Sequence, residues 1–497
     1  MNKTKIAVGV VVALGVVWTG AAWLTGKQIE SHMEQMVQNA NAQLAQLAPE
    51  SRLKVSYQNY QRGLFTSRTQ LVVQASSQTE DNALLKPGQS VVLNETIDHG
   101  PFPFAQLKKF VLIPSMASVH SELENTPALK KLFELTKGES VIEADTRIGY
   151  SGATASAIRL LPLDYQSETG ERYAWNGGTL GIDSDAKGDR VNFNGDIDSV
   201  ALTVKNEADL PVLFTLNGIS LDGKTHLSPQ GVRIGDQHVN FKKFSAAVNG
   251  QEAALLEGVD LKTQFDANGN AVSGQMDYVI DNLKLENHSF GSGKLTMKLS
   301  QLDGNALKTF SDNYRTQMQA LMNQPGIQQD PARYQDGVRQ ILAANLPLLL
   351  KGDPVVTVAP LSWKNDKGES AFNLAAHFKD PATASGAAQT PGEALGRMLK
   401  TLDGKLVINV PMATEMMKQV AMVEGYQEAD ASKLAEQQVK GLAAMGQMFR
   451  LTTQQDDNIV TSLQYNGAQV TMNGEKMPLD GFLSRYMLGA PAGDLPE

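Results

Sequence analysis

The chain has no cysteine. That absence excludes disulfides, thiol nucleophiles and cysteine-based metal sites, and it excludes the lipid-modified amino terminus whose processing requires that residue. Histidine is scarce: His32, His99, His120, His226, His238, His288 and His377 are scattered, with no i,i+4 pair to hold a metal on one helix face. No G-x-S-x-G and no H-E-x-x-H occurs. Aromatic residues are few, at 6%, but 42% hydrophobic against 20% charged still describes a folding chain rather than a disordered one. Its 497 residues can bury a large core and leave room for two or three domains.

Charge is missing altogether near the start. Between Lys5 and Lys27, the run Ile6–Gly26 carries none. At about 1.5 Å of rise per residue, its 21 positions span roughly 31 Å as a helix, which is the thickness of a bilayer's hydrocarbon core. Trp18 and Trp23 fall toward the far end, where indoles favour the headgroup region, and Lys3 and Lys5 hold the near end on the cytoplasmic side. The run predicts a single uncleaved transmembrane anchor with everything downstream exported. A cleaved signal peptide is the competing reading, with Gly20 and Ala22 as small residues before the cut. Such signals have apolar cores of about 7–15 residues, and here Trp23 and Leu24 continue the run. Beyond the anchor, 42 Lys+Arg face 53 Asp+Glu, a net charge of −11 once Lys3 and Lys5 are set aside. An acidic body argues against nucleic acid as a partner.

After the anchor the period of the pattern changes twice. Residues 27–48 place Ile29, Met33, Met36, Val37, Leu44 and Leu47 on one helical face, ended by Pro49. From about residue 52 the period is two, with strand-like runs at 64–74, 91–97, 141–150, 190–204, 213–221, 239–248, 253–265, 271–285 and 294–299. Asn-Gly and Asp-Gly pairs are frequent, at 176–177, 194–195, 217–218, 222–223, 249–250, 268–269, 303–304, 336–337, 403–404, 466–467, 473–474 and 480–481, and predict hairpin turns. Helical stripes return at 307–322 and 334–349, then a hairpin over 354–378, a loop over 380–392, a strand over 402–410, Met- and Ala-rich helices over 412–422 and 431–448, and closing strands. The expected fold class is α+β: an N-terminal single transmembrane helix, then a large, mainly antiparallel sheet with packed helices in the C-terminal half. The expected division is 1–26 anchor, 27–50 membrane-proximal helix, 51–300 β-rich region and 301–497 mixed region.

Three motifs touch known chemistry and none completes it. Gly218–Thr225 matches G-x-x-x-x-G-K-[ST], but a phosphate loop needs a helix to start at its end, and Pro229 and Gly231 interrupt one. Asp183–Asp189 resembles the opening of a calcium loop, but Lys187 occupies a ligand position and Asn194 stands where a bidentate glutamate belongs. Ser51–Lys54 fits S-x-x-K without the companion S-D-N or K-T-G. No catalytic, cofactor-binding or metal residue is assigned.

Two segments stand out. One contains Tyr57, Tyr60, Arg62, Gly63, Leu64 and Phe65 in the run YQNYQRGLFTS; the other is Asp98 followed by His99, Gly100, Pro101, Phe102 and Pro103. Glycine and two prolines fix a rigid extended turn that aims His99 and Phe102 in set directions. It is either a structural corner covering a sheet edge or a docking surface. An anchor followed by Y-x-x-Y-x-R-G-L-F-T-S, H-G-P-F-P and a long acidic β-rich body resembles the YdgA-type family of Gram-negative envelope proteins. The resemblance spans the whole chain. It implies an inner-membrane location, a periplasmic body that self-associates, and no known activity or cofactor. The expectation is a non-enzymatic protein that binds, as a homodimer. One alternative is the handling of lipid or another hydrophobic ligand in a β-sheet groove, covered by helices carrying Met412, Met416, Met417, Met422, Met445 and Met448. The other is an envelope-polymer hydrolase whose parts lie far apart in sequence.

Overall fold

A single helix, α1 (Lys3–Leu47), runs through what the sequence divides into anchor and membrane-proximal helix. Neither Gly20 nor Gly26 interrupts it, and no proline falls within it, so nothing breaks the ladder of backbone bonds at residue 26. The computed structural model describes residues 3–47, 53–75, 89–167, 170–206, 208–324, 326–327, 330–386, 388–467 and 469–486, with side chains of α1 at 17–42 and 44. Among the described residues no helix is long and apolar enough to cross a membrane. The side chains of residues 6–16 in the expected anchor lie outside the described set, as do Pro49 and the first half of the S-x-x-K match.

The chain forms two compact units: residues 1–202 with 220–224, and residues 203–219 with 225–497. In the first, β1 (Leu53–Arg62), β2 (Thr66–Ala75) and β3 (Ser90–His99) form an antiparallel meander. A short helix α2 (Phe104–Lys108) follows, and the meander resumes with β4 (Ala117–Leu123). Helix α3 (Lys130–Leu135) precedes β5 (Ile142–Ile148) and β6 (Thr154–Leu160). The hairpin β7 (Leu163–Gln166) and β8 (Arg172–Trp175) is interposed before β9 (Gly178–Ser184), which pairs back onto β6 and is followed by β10 (Arg190–Lys205). Helix α1 lies on this sheet. Ile29 and Met33 are buried with Ile97 and Ala117, flanked by Tyr60, Met116, Val119 and Ile148. Burying each of the two helix side chains contributes about 1.5–3 kcal/mol.

The second unit is built on long strands. β11 (Pro211–Leu227), whose residues 220–224 group with the first unit, β12 (Arg233–Val248), β13 (Gln251–Asn268), β14 (Ala271–Leu285) and β15 (His288–Asp303) follow one another, and β12 to β15 pair antiparallel in sequence order. Asp303 caps α4 (Gly304–Met322), its carboxylate accepting from the Ala306 amide at 2.8 Å, and α5 (Pro331–Leu349) packs beside it. The ladder continues through β16 (Val355–Asn365) and β17 (Gly368–Phe378). After α6 (Pro391–Met398) comes β18 (Leu399–Asn409), paired with β17. The antiparallel pair α7 (Val410–Val423) and α8 (Glu428–Met448) precedes β19 (Thr453–Gln455), β20 (Asn458–Tyr465), β21 (Gln469–Met472), β22 (Glu475–Pro478) and α9 (Leu479–Tyr486).

Several predicted turns are not turns. Asn194-Gly195 lies inside β10, both 217–218 and 222–223 lie inside β11, and 403–404 lies inside β18; 336–337 and 480–481 are helical. In a strand, glycine serves where something approaches closely: a Cβ on Gly218 would stand 2.7 Å from the Lys242 side chain. Asn249-Gly250 and Asn473-Gly474 are genuine tight turns, with positive φ at both residues. The expected loop 380–392 contains a helical turn at Pro381–Thr383 and the start of α6. Because Gly218–Thr225 lies wholly within β11, no helix begins at its Lys-Thr end. In the calcium-like segment, Asp185 accepts from the amides of Lys187, Asp189 and Arg190 and closes the β9–β10 turn.

Candidate functional site

The two unusual segments meet. Register pairs Thr66 with Asp98 and Ser67 with Ile97, and the His99 amide donates to the Phe65 carbonyl at 2.7 Å. The end of the first motif and the start of the second are therefore neighbours where β2 begins and β3 ends, and α1 passes over that end of the sheet.

His99 is at the centre, 2% exposed, beside Ser67 at 0%. Its Nδ1 lies 3.3 Å from the Leu64 carbonyl, so Nδ1 donates and Nε2 accepts from the Ser67 hydroxyl at 2.8 Å. Tyr60 donates to Ser67 at 3.3 Å. Burial pulls the His99 pKa below the ordinary histidine value, although the Leu64 carbonyl and Asp98 oppose it. A serine, a histidine and a tyrosine in one hydrogen-bonded chain suggest a nucleophile and its base. Here the histidine's second nitrogen meets a main-chain carbonyl rather than a carboxylate, and α1 closes the site. Gly26 sits against the imidazole so closely that a Cβ there would stand 2.4 Å from Cε1. Ala22, one turn earlier, is fully buried. With α1 seated, no substrate atom reaches Ser67; the chain acts as a lock on the helix.

The remaining motif residues complete the lock. Arg62 pairs with Glu30 of α1 at 3.2 Å and lies 5.7 Å from the Trp23 ring, as does Lys27. Phe65, Trp18 and Phe104 form a triad with ring centroids 5.2–5.4 Å apart. The Trp18 indole nitrogen is buried there with no hydrogen-bond partner among the described residues. Gly63 makes the β1–β2 turn, its amide bonding the Thr66 carbonyl. Leu64 is exposed and contributes its carbonyl to His99, while Tyr57 is also exposed. Gly100 has no room for a side chain, since a Cβ would lie 2.0 Å from the Ser115 carbonyl. The Pro101 carbonyl receives the Ser115 amide, buried Pro103 receives those of Gln106 and Leu107, and Phe102 is half-buried. Asp98 bonds both the Thr66 hydroxyl and the Ala105 amide, tying the sheet to α2.

Sequence reasoning missed the helix's part in this. The signal was the pair Ala22-x-x-x-Gly26, small residues on one face that let a backbone approach closely. It also missed the end of α2, where the Phe110 amide bonds the Leu107 carbonyl and the Val111 amide bonds the Gln106 carbonyl. That is a helix C-terminus whose left-handed position ordinarily holds glycine. Here it holds Phe110, at φ 56 and 92% exposed. A left-handed L-residue costs about 1–2 kcal/mol.

The second unit presents a different surface. One cross-strand row reads Val239, Leu261, Tyr278, Leu295, Leu361, Phe372 and Leu406 over seven consecutive strands, β12 to β18. At about 4.8 Å between strands the row is roughly 29 Å long. None of its members is buried, and Val239 and Leu361 are 38% and 47% exposed. The opposite face at the same level is more polar, with Asn240, Asp260, Lys294 and Ser362 among its residues. Toward one end of the apolar face, Leu307 of α4 packs on Ile234, Val272 and Leu302 beside a cavity of about 430 Å³ rimmed by Arg233, Asp312 and Arg315. Toward the other, Met412 of α7 takes a contact from the Ser370 hydroxyl at 3.2 Å. Of the expected methionine stripe, Met412 is buried, whereas Met445 and Met448 are exposed.

A family model described as "Bacterial protein of unknown function (DUF945)" matches residues 1–480. The chain is 50% identical to Protein YdgA of Escherichia coli strain K12, over 100% of this chain and 98% of that one. It is 28% identical to the uncharacterized protein YihF of the same organism, over 97% and 98% of the two chains. An uncharacterized protein of Haemophilus influenzae is 25% identical over 62% of this chain and 84% of its own. No solved structure matches the chain.

Proposed function

The chain belongs to the DUF945 family of bacterial proteins of unknown function, and from that premise we propose that it is an inner-membrane-anchored envelope protein whose periplasmic body works by binding rather than catalysis. The observation that carries this reading is the half-open apolar row across β12–β18. A monomer in water gains nothing by leaving such a row uncovered, so an occupant is its natural complement. The uncharged run Ile6–Gly26 supports the anchor and the export of the body.

Two occupants suit the row. A second copy of the chain would lay its own sheet against it, giving a homodimer with an isologous interface. A lipid acyl chain or similar apolar ligand would lie along it. The helices α4 and α7 toward the two ends favour the narrower occupant, because a second flat sheet must clear both. The hydrogen-bonded pair Ser67 and His99 sits sealed beneath α1, which counts against a hydrolase built on it.

The test is a photo-crosslinking residue at Leu361 in the full chain in living cells. A crosslink to a second copy supports self-association, and one to phosphate-labelled lipid supports ligand handling. A residue that photolyses only with water at Leu361 and at Val239 overturns the binding reading. A cytosolic reporter fused at the carboxyl end checks the topology, and its activity would overturn the periplasmic placement.

A further inference from the structure

We propose that the first unit does not stand clear of the bilayer but is sunk into its surface, with the segment Phe104–Ile113 as a foot in the headgroup region, its exposed Phe110, Leu112 and Ile113 following the exposed cations Lys108 and Lys109. The inference rests on the reading of Ile6–Gly26 as a crossing and adds a second membrane-contacting element to it.

The length of α1 carries the argument. Ile6–Val17, twelve residues, precede Trp18, the first residue of α1 with a described contact to the body. As helix they span about 18 Å, against a hydrocarbon core of about 30 Å. Extending the span to Trp23 gives about 27 Å, but from Trp18 onward α1 is not free. Trp18 is packed on Phe65 and Phe104, and Gly26 on His99. Whatever depth Trp18–Trp23 reach, the adjoining edge of the body goes with them.

The segment that continues from Phe104, which packs on Trp18, suits immersion. Phe110, Leu112 and Ile113, just beyond α2, are 92%, 70% and 58% exposed. Between one and three helical turns further along α1 the character changes, with Lys27 and Arg62 flanking the Trp23 ring. Apolar groups followed by an indole between cations is the order a bilayer presents from acyl boundary to headgroup. The amides of Lys109, Phe110 and Val111 are bonded to carbonyls of α2, and Pro114 has none to satisfy, which lowers the cost of leaving water. Independently, Phe110 occupies a left-handed position suited to glycine while its ring touches almost nothing in the chain. A local rule broken without an internal gain points to a contact outside the chain.

Because the chain has no cysteine, single substitutions give unique labels. Phe110→Cys, Leu112→Cys and, as control in the β9–β10 turn, Lys187→Cys would each carry a polarity-sensitive fluorophore in the full chain. The chain is reconstituted into vesicles of phosphatidylethanolamine and phosphatidylglycerol. We expect a quencher attached to lipid near the headgroup to act at least threefold more strongly on labels 110 and 112 than on 187, with iodide showing the reverse order. Labels as open to iodide as the control overturn the proposal. So do labels hidden from iodide yet untouched by the lipid quencher, which would mean a protein covers the foot. Placing Leu112→Cys in a Phe110→Gly background relaxes the backbone while removing the ring, and quenching by lipid should fall. If alkaline carbonate strips the chain from the vesicles, the crossing itself is wrong and the foot falls with it; if the chain stays and the labels are wet, only the foot is wrong.

Discussion

Gly26 of α1 sits directly against the His99 ring, and each of the two residues yields a prediction. Replacing Gly26 with leucine forces the imidazole or the helix aside, because even a Cβ would stand 2.4 Å from the ring. Overpacking of this kind costs about 1–3 kcal/mol. The expected outcome is a lowered unfolding temperature together with proteolysis between α1 and β1, read by gel; Ala at Ser67, by contrast, leaves the buried His99 Nε2 without its donor and costs a similar amount with no steric clash. The pH dependence follows from the direction of the His99 shift. Its folded-state pKa lies below the unfolded value, so as pH falls through the ordinary histidine range the unfolded chain takes up a proton that the folded chain refuses. Stability is full above that range and is lost on acidification. Glu95 acts with the opposite sign: burial raises its pKa despite the hydrogen bond from Ser121, so its contribution is present below the ordinary glutamate value and fades as pH rises through the folded one. Thermal melts at pH 7.5 and 5.5 should therefore differ more for the native chain than for His99→Gln, which does not titrate; equal differences would remove His99 as the cause. At Phe110 the prediction runs the other way. Phe110→Gly should raise stability by about 1 kcal/mol in detergent, measured by denaturant titration, because glycine meets φ 56 without strain.

Among elements, α1 also braces the first strand of the sheet. Asn41 donates to the Val55 carbonyl and accepts the Val55 amide, both at 2.7 Å, and so acts as a short substitute strand for β1. Asn41→Ala should cost about 1–3 kcal/mol and raise hydrogen exchange at the Val55 amide, read by mass spectrometry; unchanged exchange would mean that β1 does not need the helix. The long strands were legible in part: β14 matches its predicted limits, Ala271–Leu285, whereas the runs 213–221, 239–248 and 294–299 recover only portions of β11, β12 and β15. The strands β4 and β6–β9 were not singled out, being seven residues or fewer and rich in Ala, Ser, Thr or charge, where the period of two carries little contrast. Asp-Gly and Asn-Gly misled inside β10, β11 and β18 because glycine answers equally to a turn and to a close neighbour. The candidate motifs were visible as unusual strings, yet nothing in them revealed that their partner would be a helix more than thirty residues upstream.

At the scale of the molecule, the second unit exposes one sheet face that its own helices cover only in part. Since Leu361 and Val239 are already exposed, replacing both with aspartate should leave the unfolding temperature nearly unchanged while abolishing whatever crosslink the Leu361 probe makes. A large drop in stability would show the row to be interior packing instead.

Pattern alone was enough to specify a charge-free start, an acidic body without thiol chemistry, long antiparallel strands and paired helices near the end. Those properties are local: each follows from residue type and period within a window of the chain. What only the tertiary structure decided is which distant segments touch. It joined the two motifs where β2 begins and β3 ends, set Gly26 of α1 against His99, and lined up seven strands so that single residues from each made a continuous apolar row. The physical reason is that pairing register and close packing act between residues tens of positions apart, where periodicity along the chain carries no information.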